Sequence, residues 1–181
     1  MIRTLALALL LACSAHAADW RMDPAASTLG FIGMTQGERF EGRFGEFQAA
    51  IRFDPDDLDH ARFDVTIALA SADTANAERD EALLGSDFFH VRRHPQAHYR
   101  AERFRALGDG RYAADGELSL RGITRPVTLE FRWTAGEPAI LEGEATLRRL
   151  DFDIGGGDWA DLDMIANEVQ VRTRLALHRA E

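Results

Sequence analysis

The chain has 181 residues, 21 basic against 30 acidic side chains and a formal net charge of −9, a balance that disfavours nucleic acid or an anionic membrane surface as a general partner. Every one of those basic residues is Arg, so Schiff-base chemistry and a lysine general base are excluded. The one Cys, Cys13, rules out an internal disulfide framework.

Residues 1–17 combine one positive charge (Arg3), an apolar core over 5–12 and a small-x-small end at Ala15-His16-Ala17, which is the build of a secretory signal peptide. The expectation is a single mature domain over 18–181, exported to the periplasm and free of Cys. Leu10-Leu11-Ala12-Cys13 also reads as a lipoprotein processing site that would leave Cys13 lipid-modified, although Leu11 is bulky for its position. No later stretch approaches the ~20 apolar residues of a spanning helix.

From Trp20 onward the dominant period is two. Phe63, Val65, Ile67 and Leu69 alternate with polar or small neighbours, as do Val127, Leu129, Phe131 and Trp133, and Val169, Val171, Thr173, Leu175 and Leu177. These are half-buried strands. Strands are expected near 20–23, 28–35, 39–53, 62–70, 97–105, 111–119, 126–134, 139–150 and 164–178, nearly all antiparallel. In 39–53 the apolar parity slips near Gly45-Glu46, which predicts a bulge bending one long strand. Gly108-Asp109-Gly110 and Arg121-Gly122-Ile123-Thr124-Arg125-Pro126 read as tight hairpin turns. One helix interrupts the strands over 76–84, with Asn76 as N-cap and Gly85 as stop. Eight strands can close around one small ligand, and periodicity alone leaves a barrel and a sandwich both open.

The face of strand 139–147 made by Ala139, Leu141, Gly143, Ala145 and Leu147 is built from small groups. With Gly42, Ala49 and Ala101 on other apolar faces and Phe31, Phe44, Phe131 and Trp133 as walls, the interior can hold an elongated apolar cavity. The competing reading is a fully packed barrel. His90, His94 and His98 recur every four residues, but Pro95 disfavours a continuous helix and hence a shared metal-binding face. The run from Asp151 to Gly156 imitates the start of a calcium loop, yet Leu162 stands where a bidentate Glu is needed. No nucleophile elbow or phosphate cradle is present.

Three stretches carry a resemblance. Residues 71–95 read S-A-D-T-A-N-A-E-R-D-E-A-L-L-G-S-D-F-F-H-V-R-R-H-P, W-R-M-D-P-A-A-S-T-L-G-F begins at Trp20, and G-E-L-S-L-R-G-I-T-R-P-V begins at Gly116. Together they resemble the YceI-like, polyisoprenoid-binding proteins of the bacterial envelope. The resemblance implies an all-β fold, an antiparallel eight-stranded lipocalin-like barrel with one short helix between strands, and the Phe88-Phe89 loop near one mouth. It also implies a non-enzymatic carrier for an amphiphilic isoprenoid, a quinone or a polyprenyl phosphate, with no catalytic residue, metal or fixed cofactor.

The expected tunnel lining is Phe31, Phe44, Ile67, Phe88, Phe89, Tyr99, Phe131, Trp133, Leu141 and Gly143. Phe88-Phe89 reads either as a plug or as a gate. Arg79 reads as part of an ion-pair network with Glu78 and Asp80, or with Arg92 and Arg93 as a head-group contact. The family's basic stretch on the first hairpin is replaced here by Gly33-Met34-Thr35-Gln36, which leaves the head group open. Residues 155–161, G-G-G-D-W-A-D, resemble a subgroup associated with membrane cytochromes of the b561 type, which would make such a cytochrome a partner and a quinone the cargo. The rival readings are an envelope hydrolase or isomerase using His90, His94 or His98 with Asp80 or Glu81, and a ligand-free structural or stress adaptor.

Overall fold

The alternating segments form strands almost throughout. A computed structural model describes residues 18–180; the expected signal peptide over 1–17, with Cys13, lies outside the described residues. In chain order the elements are β1 (Asp19–Met22), β2 (Thr28–Thr35), β3 (Glu38–Phe44), β4 (Phe47–Arg52), β5 (Arg62–Ala68), β6 (Ala72–Asp73), α1 (Ala77–Leu84), β7 (Gln96–Gly108), β8 (Arg111–Leu120), β9 (Ile123–Thr134), β10 (Ala139–Arg148) and β11 (Glu168–Arg179). The segments β1 and β2, β3 and β4, and β5 and β6 continue one another, so the eleven pieces make eight staves. Around the barrel the order is β1, β4, β5, β7, β8, β9, β10, β11. The ring closes where Trp20 and Met22 of β1 pair with Arg179 and Leu177 of β11. Nearer the other end β11 pairs with β2, β2 with β3, and β3 with β6. All ladders are antiparallel, and the closure makes this a barrel rather than a sandwich.

The local signals explain the joints. Asp109 and Gly110 have φ of 54° and 71°, and Arg121 and Gly122 have 52° and 74°, the mirror-image turn geometry that suits two-residue hairpins. The break between β3 and β4 falls at Gly45-Glu46, where the parity slips. There the backbone leaves the ladder and Gly45 N donates to Ser71 O at 3.0 Å. The helix is capped by the Asn76 side chain, which accepts from Arg79 N at 3.0 Å, and ends at Gly85. Several expected strand ends move. β5 stops at Ala68, β7 runs on to Gly108, and the turn expected over 121–126 narrows to Arg121-Gly122 because β9 already pairs with β8 from Ile123. Two further shifts bear on the site. The strand expected over 139–150 stops at Arg148 in a short 3-10 turn, Arg149–Phe152, and the strand expected from 164 begins at Glu168. The backbone between them folds around a buried side chain described below.

The barrel interior has two halves. At the end where β1 and β11 meet, Phe53 is fully buried and its ring lies 4.9 Å from Trp133, 5.1 Å from Tyr112 and 5.3 Å from Phe131, centroid to centroid. This aromatic plug is the dense core. Toward the helix end the same inward rows loosen. In β9, Phe131 and Trp133 are buried but Val127 and Leu129 only half-buried; in β10, Ala139 and Leu141 are buried but Ala145 and Leu147 half-buried; in β11, Leu175 and Leu177 are buried but Val169 and Val171 half-buried. Inward apolar side chains that remain partly exposed mark a lumen, since a packed core would bury them.

Candidate functional site: an apolar lumen with a latched mouth

The lumen above the plug encloses about 210 Å³. A larger groove of about 510 Å³ crosses the outer wall, but its rim alternates Arg and Glu, as at Arg111, Glu130, Arg132, Glu142 and Arg172. It is an open surface groove rimmed by charge, whereas the lumen is apolar nearly all round. Cross-strand geometry keeps it clear. The Phe31 ring lies over Gly42 and the Phe40 ring over Gly33, so a Cβ at either glycine would overlap the ring; Tyr99 covers Gly116 in the same way. Rings laid flat against the wall line a lumen without filling it.

The polar atoms of the lining are spent on the wall itself. Tyr99 OH donates to Ala114 O at 2.8 Å and to Val127 O at 3.3 Å, and burial pushes its phenol well above the ordinary tyrosine range. Thr173 Oγ1 donates to Thr28 O at 3.0 Å. The exception in charge is Arg149, 4 % exposed and the one charged residue of the lining. Its guanidinium donates to five backbone carbonyls: Nε to Ala166 O at 3.1 Å, Nη1 to Ile154 O at 2.9 Å and to Gly155 O, and Nη2 to Trp159 O and Ile165 O, both at 2.9 Å. Burial lowers its pKa from the usual guanidinium value, yet a guanidinium keeps its charge at any workable pH. Residues 154–166 are therefore wrapped around a cation that has, among the described residues, no carboxylate partner.

That wrapped loop meets the paired-aromatic loop across the mouth. Gly155 N donates to Asp87 O at 2.7 Å, Trp159 Nε1 to Asp87 Oδ2 at 3.3 Å, and the rings of Phe88 and Trp159 lie 5.8 Å apart. Arg121 bridges the two, with Nη1 donating to Phe88 O and Nη2 3.2 Å from Asp153 Oδ2. Phe89 turns inward, 7 % exposed, with its ring 6.1 Å from that of Phe44. The mouth is thus closed by two loops held together by a few polar contacts and one ring pair.

Of the residues singled out from the sequence, Phe31, Phe44, Ile67, Phe88, Phe89, Tyr99 and Leu141 line the lumen. Phe131 and Trp133 stand below it in the plug. Gly143 lies beneath the side chains of Leu129 and Phe131, which approach its Cβ position to 3.1 Å. Arg79 bonds Thr74 Oγ1 at 2.9 Å, Thr74 Oγ1 donates to Asp80 at 2.6 Å, and the guanidinium stacks 4.3 Å above the Phe40 ring. The helix is pinned through the Thr74 hydroxyl rather than by the direct ion pair with Glu78 and Asp80. Arg92 and Arg93 are exposed on the loop after Phe89, off the lumen. His90 and His94 have rings 5.9 Å apart, but His98 faces outward and meets Thr66 at 3.2 Å, so the three imidazoles do not converge. Arg149 was missed, although a signal existed: 139, 141, 143, 145 and 147 point inward, and 149 continues that parity with a charge.

A closed eight-stranded antiparallel barrel with a single-ended apolar lumen is lipocalin-like in construction. Within that class the chain belongs to the YceI family: the family's model, a YceI-like domain, matches residues 20–177. A UPF0312 protein of Vibrio parahaemolyticus is 29% identical over 173 residues, covering 88% of this chain and 92% of that protein. Another from Pseudomonas aeruginosa is 36% identical over 140 residues, covering 72% and 69%. Among solved structures, Burkholderia cenocepacia BcnA superposes with a TM-score of 0.82 at 26% identity, covering 85% of this chain and 98% of BcnA. A polyisoprenoid binding domain from Saccharophagus degradans, implicated in plant cell wall breakdown, superposes with a TM-score of 0.69 at 17% identity, covering 91% and 100%.

Proposed function

We propose that this protein binds and carries an amphiphilic isoprenoid lipid, a quinone or a polyprenyl phosphate, in the barrel lumen, that it does so in the periplasm after export, and that it acts without catalysis. The observation that carries this reading is the lumen itself: half-buried inward rows above a packed aromatic plug, with every lining hydroxyl bonded to the wall and one cation at the mouth. Such a site rewards apolar surface, about 0.8 kcal/mol per CH₂ withdrawn from water, and sets the charge of Arg149 where a polar end would emerge. The polyisoprenoid-binding description of the Saccharophagus domain points the same way. The volume of about 210 Å³ is below the ~300–1,000 Å³ of drug-sized sites. A long isoprenoid therefore enters with the mouth loops displaced, or leaves part of its chain outside. If the cargo is a quinone, a membrane cytochrome of the b561 type is the natural exchange partner.

Native mass spectrometry followed by solvent extraction, on protein purified without detergent from its own envelope, tests the proposal. A copurified isoprenoid is expected, and its head group separates quinone from phosphate. An empty chain that takes up neither on titration would overturn the reading.

A further inference from the structure

The outer barrel wall is mostly charged, yet four large apolar side chains are exposed among the described residues: Met34 at 43%, Trp159 at 38%, Leu162 at 54% and Met164 at 37%. All four lie at the mouth. Gln36 N donates to Met164 O at 2.8 Å and Ala166 N to Met34 O at 3.1 Å, which sets the tip of the β2–β3 hairpin beside the wrapped loop. Trp159 leans on Phe88. Met34 and Phe88 are also lumen residues, so the exposed apolar rim is continuous with the apolar interior. Scattered exposed apolar residues need no explanation, but a set gathered at the opening of an apolar lumen marks an interaction surface.

Charge selects the partner. Asp158, Asp161 and Asp163 alternate with Trp159, Leu162 and Met164 on the inserting loop, are exposed, and form no ion pair among the described residues, whereas the exposed Arg92 and Arg93 belong to the other loop of the mouth. A leaflet of anionic lipid would repel them, whereas the ammonium of an ethanolamine head group complements them. We infer that the mouth docks on a bilayer surface rich in zwitterionic, ammonium-bearing phospholipid, with Trp159, Leu162 and Met164 entering the interface. Trp belongs at that depth, where its ring is apolar and its N–H stays wet. Docking places the lumen against the hydrocarbon, so an isoprenoid tail crosses from bilayer to barrel without traversing water. Because Trp159 also holds Asp87 and Phe88, its insertion draws on the contacts that close the mouth. The inference rests on the carrier reading above.

Flotation of the mature protein with two sets of vesicles tests it, one of phosphatidylcholine and phosphatidylethanolamine and one in which phosphatidylglycerol replaces the ethanolamine lipid. The wild type should float with the first set and on the order of tenfold less with the second. Leu162→Asp, at a position outside the lumen, should lose most of the flotation while binding a quinone in vesicle-free titration as the wild type does. The docking inference is overturned if the wild type floats with neither set, which would leave a protein as the occupant of the rim. It is equally overturned by preference for the anionic vesicles, or if Leu162→Asp floats undiminished. The vesicle-free titration reads the lumen alone, so failure of the carrier reading shows there and not in the flotation.

Discussion

At the scale of single residues, Arg149 and Gly42 carry most of the site. Arg149 spends all five N–H donors on carbonyls of residues 154–166, and hydrogen bonds from a charged donor are worth more than neutral ones. Arg149→Met should lower stability by on the order of 3 kcal/mol in urea denaturation and expose residues 154–166 to protease. Arg149→Lys should recover only part of this, because an ammonium has three donors and no planar fork. Gly42 acts by absence. Its missing Cβ leaves the wall site that the Phe31 ring occupies, so Gly42→Ala should keep the barrel folded, tip that ring into the lumen and weaken isoprenoid binding by on the order of tenfold in titration. Both residues were partly legible in the sequence. The inward parity of 149 follows from β10, and Gly42 was placed on an apolar face, but five-carbonyl saturation and ring-on-glycine stacking depend on which strands are neighbours.

Among the elements, the strands and the two ends of the helix are written in local chemistry, and the mouth is not. Alternation and turn residues located the barrel staves, and Asn76 and Gly85 bound α1 as expected. Residues 149–167 misled the strand boundaries because their backbone pairs with a guanidinium instead of a ladder, which leaves no periodic trace. The loop after α1 has its own titrating group. His94 packs against Gly122, and burial first, then the charges of Arg93, His90 and Arg121, lower its pKa below the ordinary imidazole value. The unfolded chain therefore takes up this proton first, near pH ~6.5, so the contribution is intact above that pH and is lost as pH falls from there toward the lowered native value. Between about pH 8 and about pH 5.5 the urea midpoint should fall more for the wild type than for His94→Gln. At the opposite end, Phe53→Ala should cost about 3–5 kcal/mol because it empties the fully buried centre of the plug; chemical denaturation measures this directly.

For the molecule as a whole, the plug supplies rigidity at one end so that the other can remain unfilled. A single strand shows the division: Phe131 and Trp133 of β9 are buried and Val127 and Leu129 are not. Sequence parity predicts that all four face inward, but it says nothing of how far apart facing walls stand, so the placement of Phe131 and Trp133 in the plug became visible only in the closed barrel. If the unfilled half is a ligand site, filling it should weaken binding without unfolding the barrel. Ala145 points into the lumen, opposite Val171 in the ladder. Titration of a quinone and of a polyprenyl phosphate into delipidated wild type and Ala145→Phe, alongside thermal melts, compares the open and the filled lumen. The wild type should bind one of the two, Ala145→Phe should bind at least about tenfold more weakly, and its melting temperature should be unchanged or raised as the void is filled. Binding by Ala145→Phe as tight as that of the wild type, or no binding by either chain, would contradict a ligand site in the unfilled half.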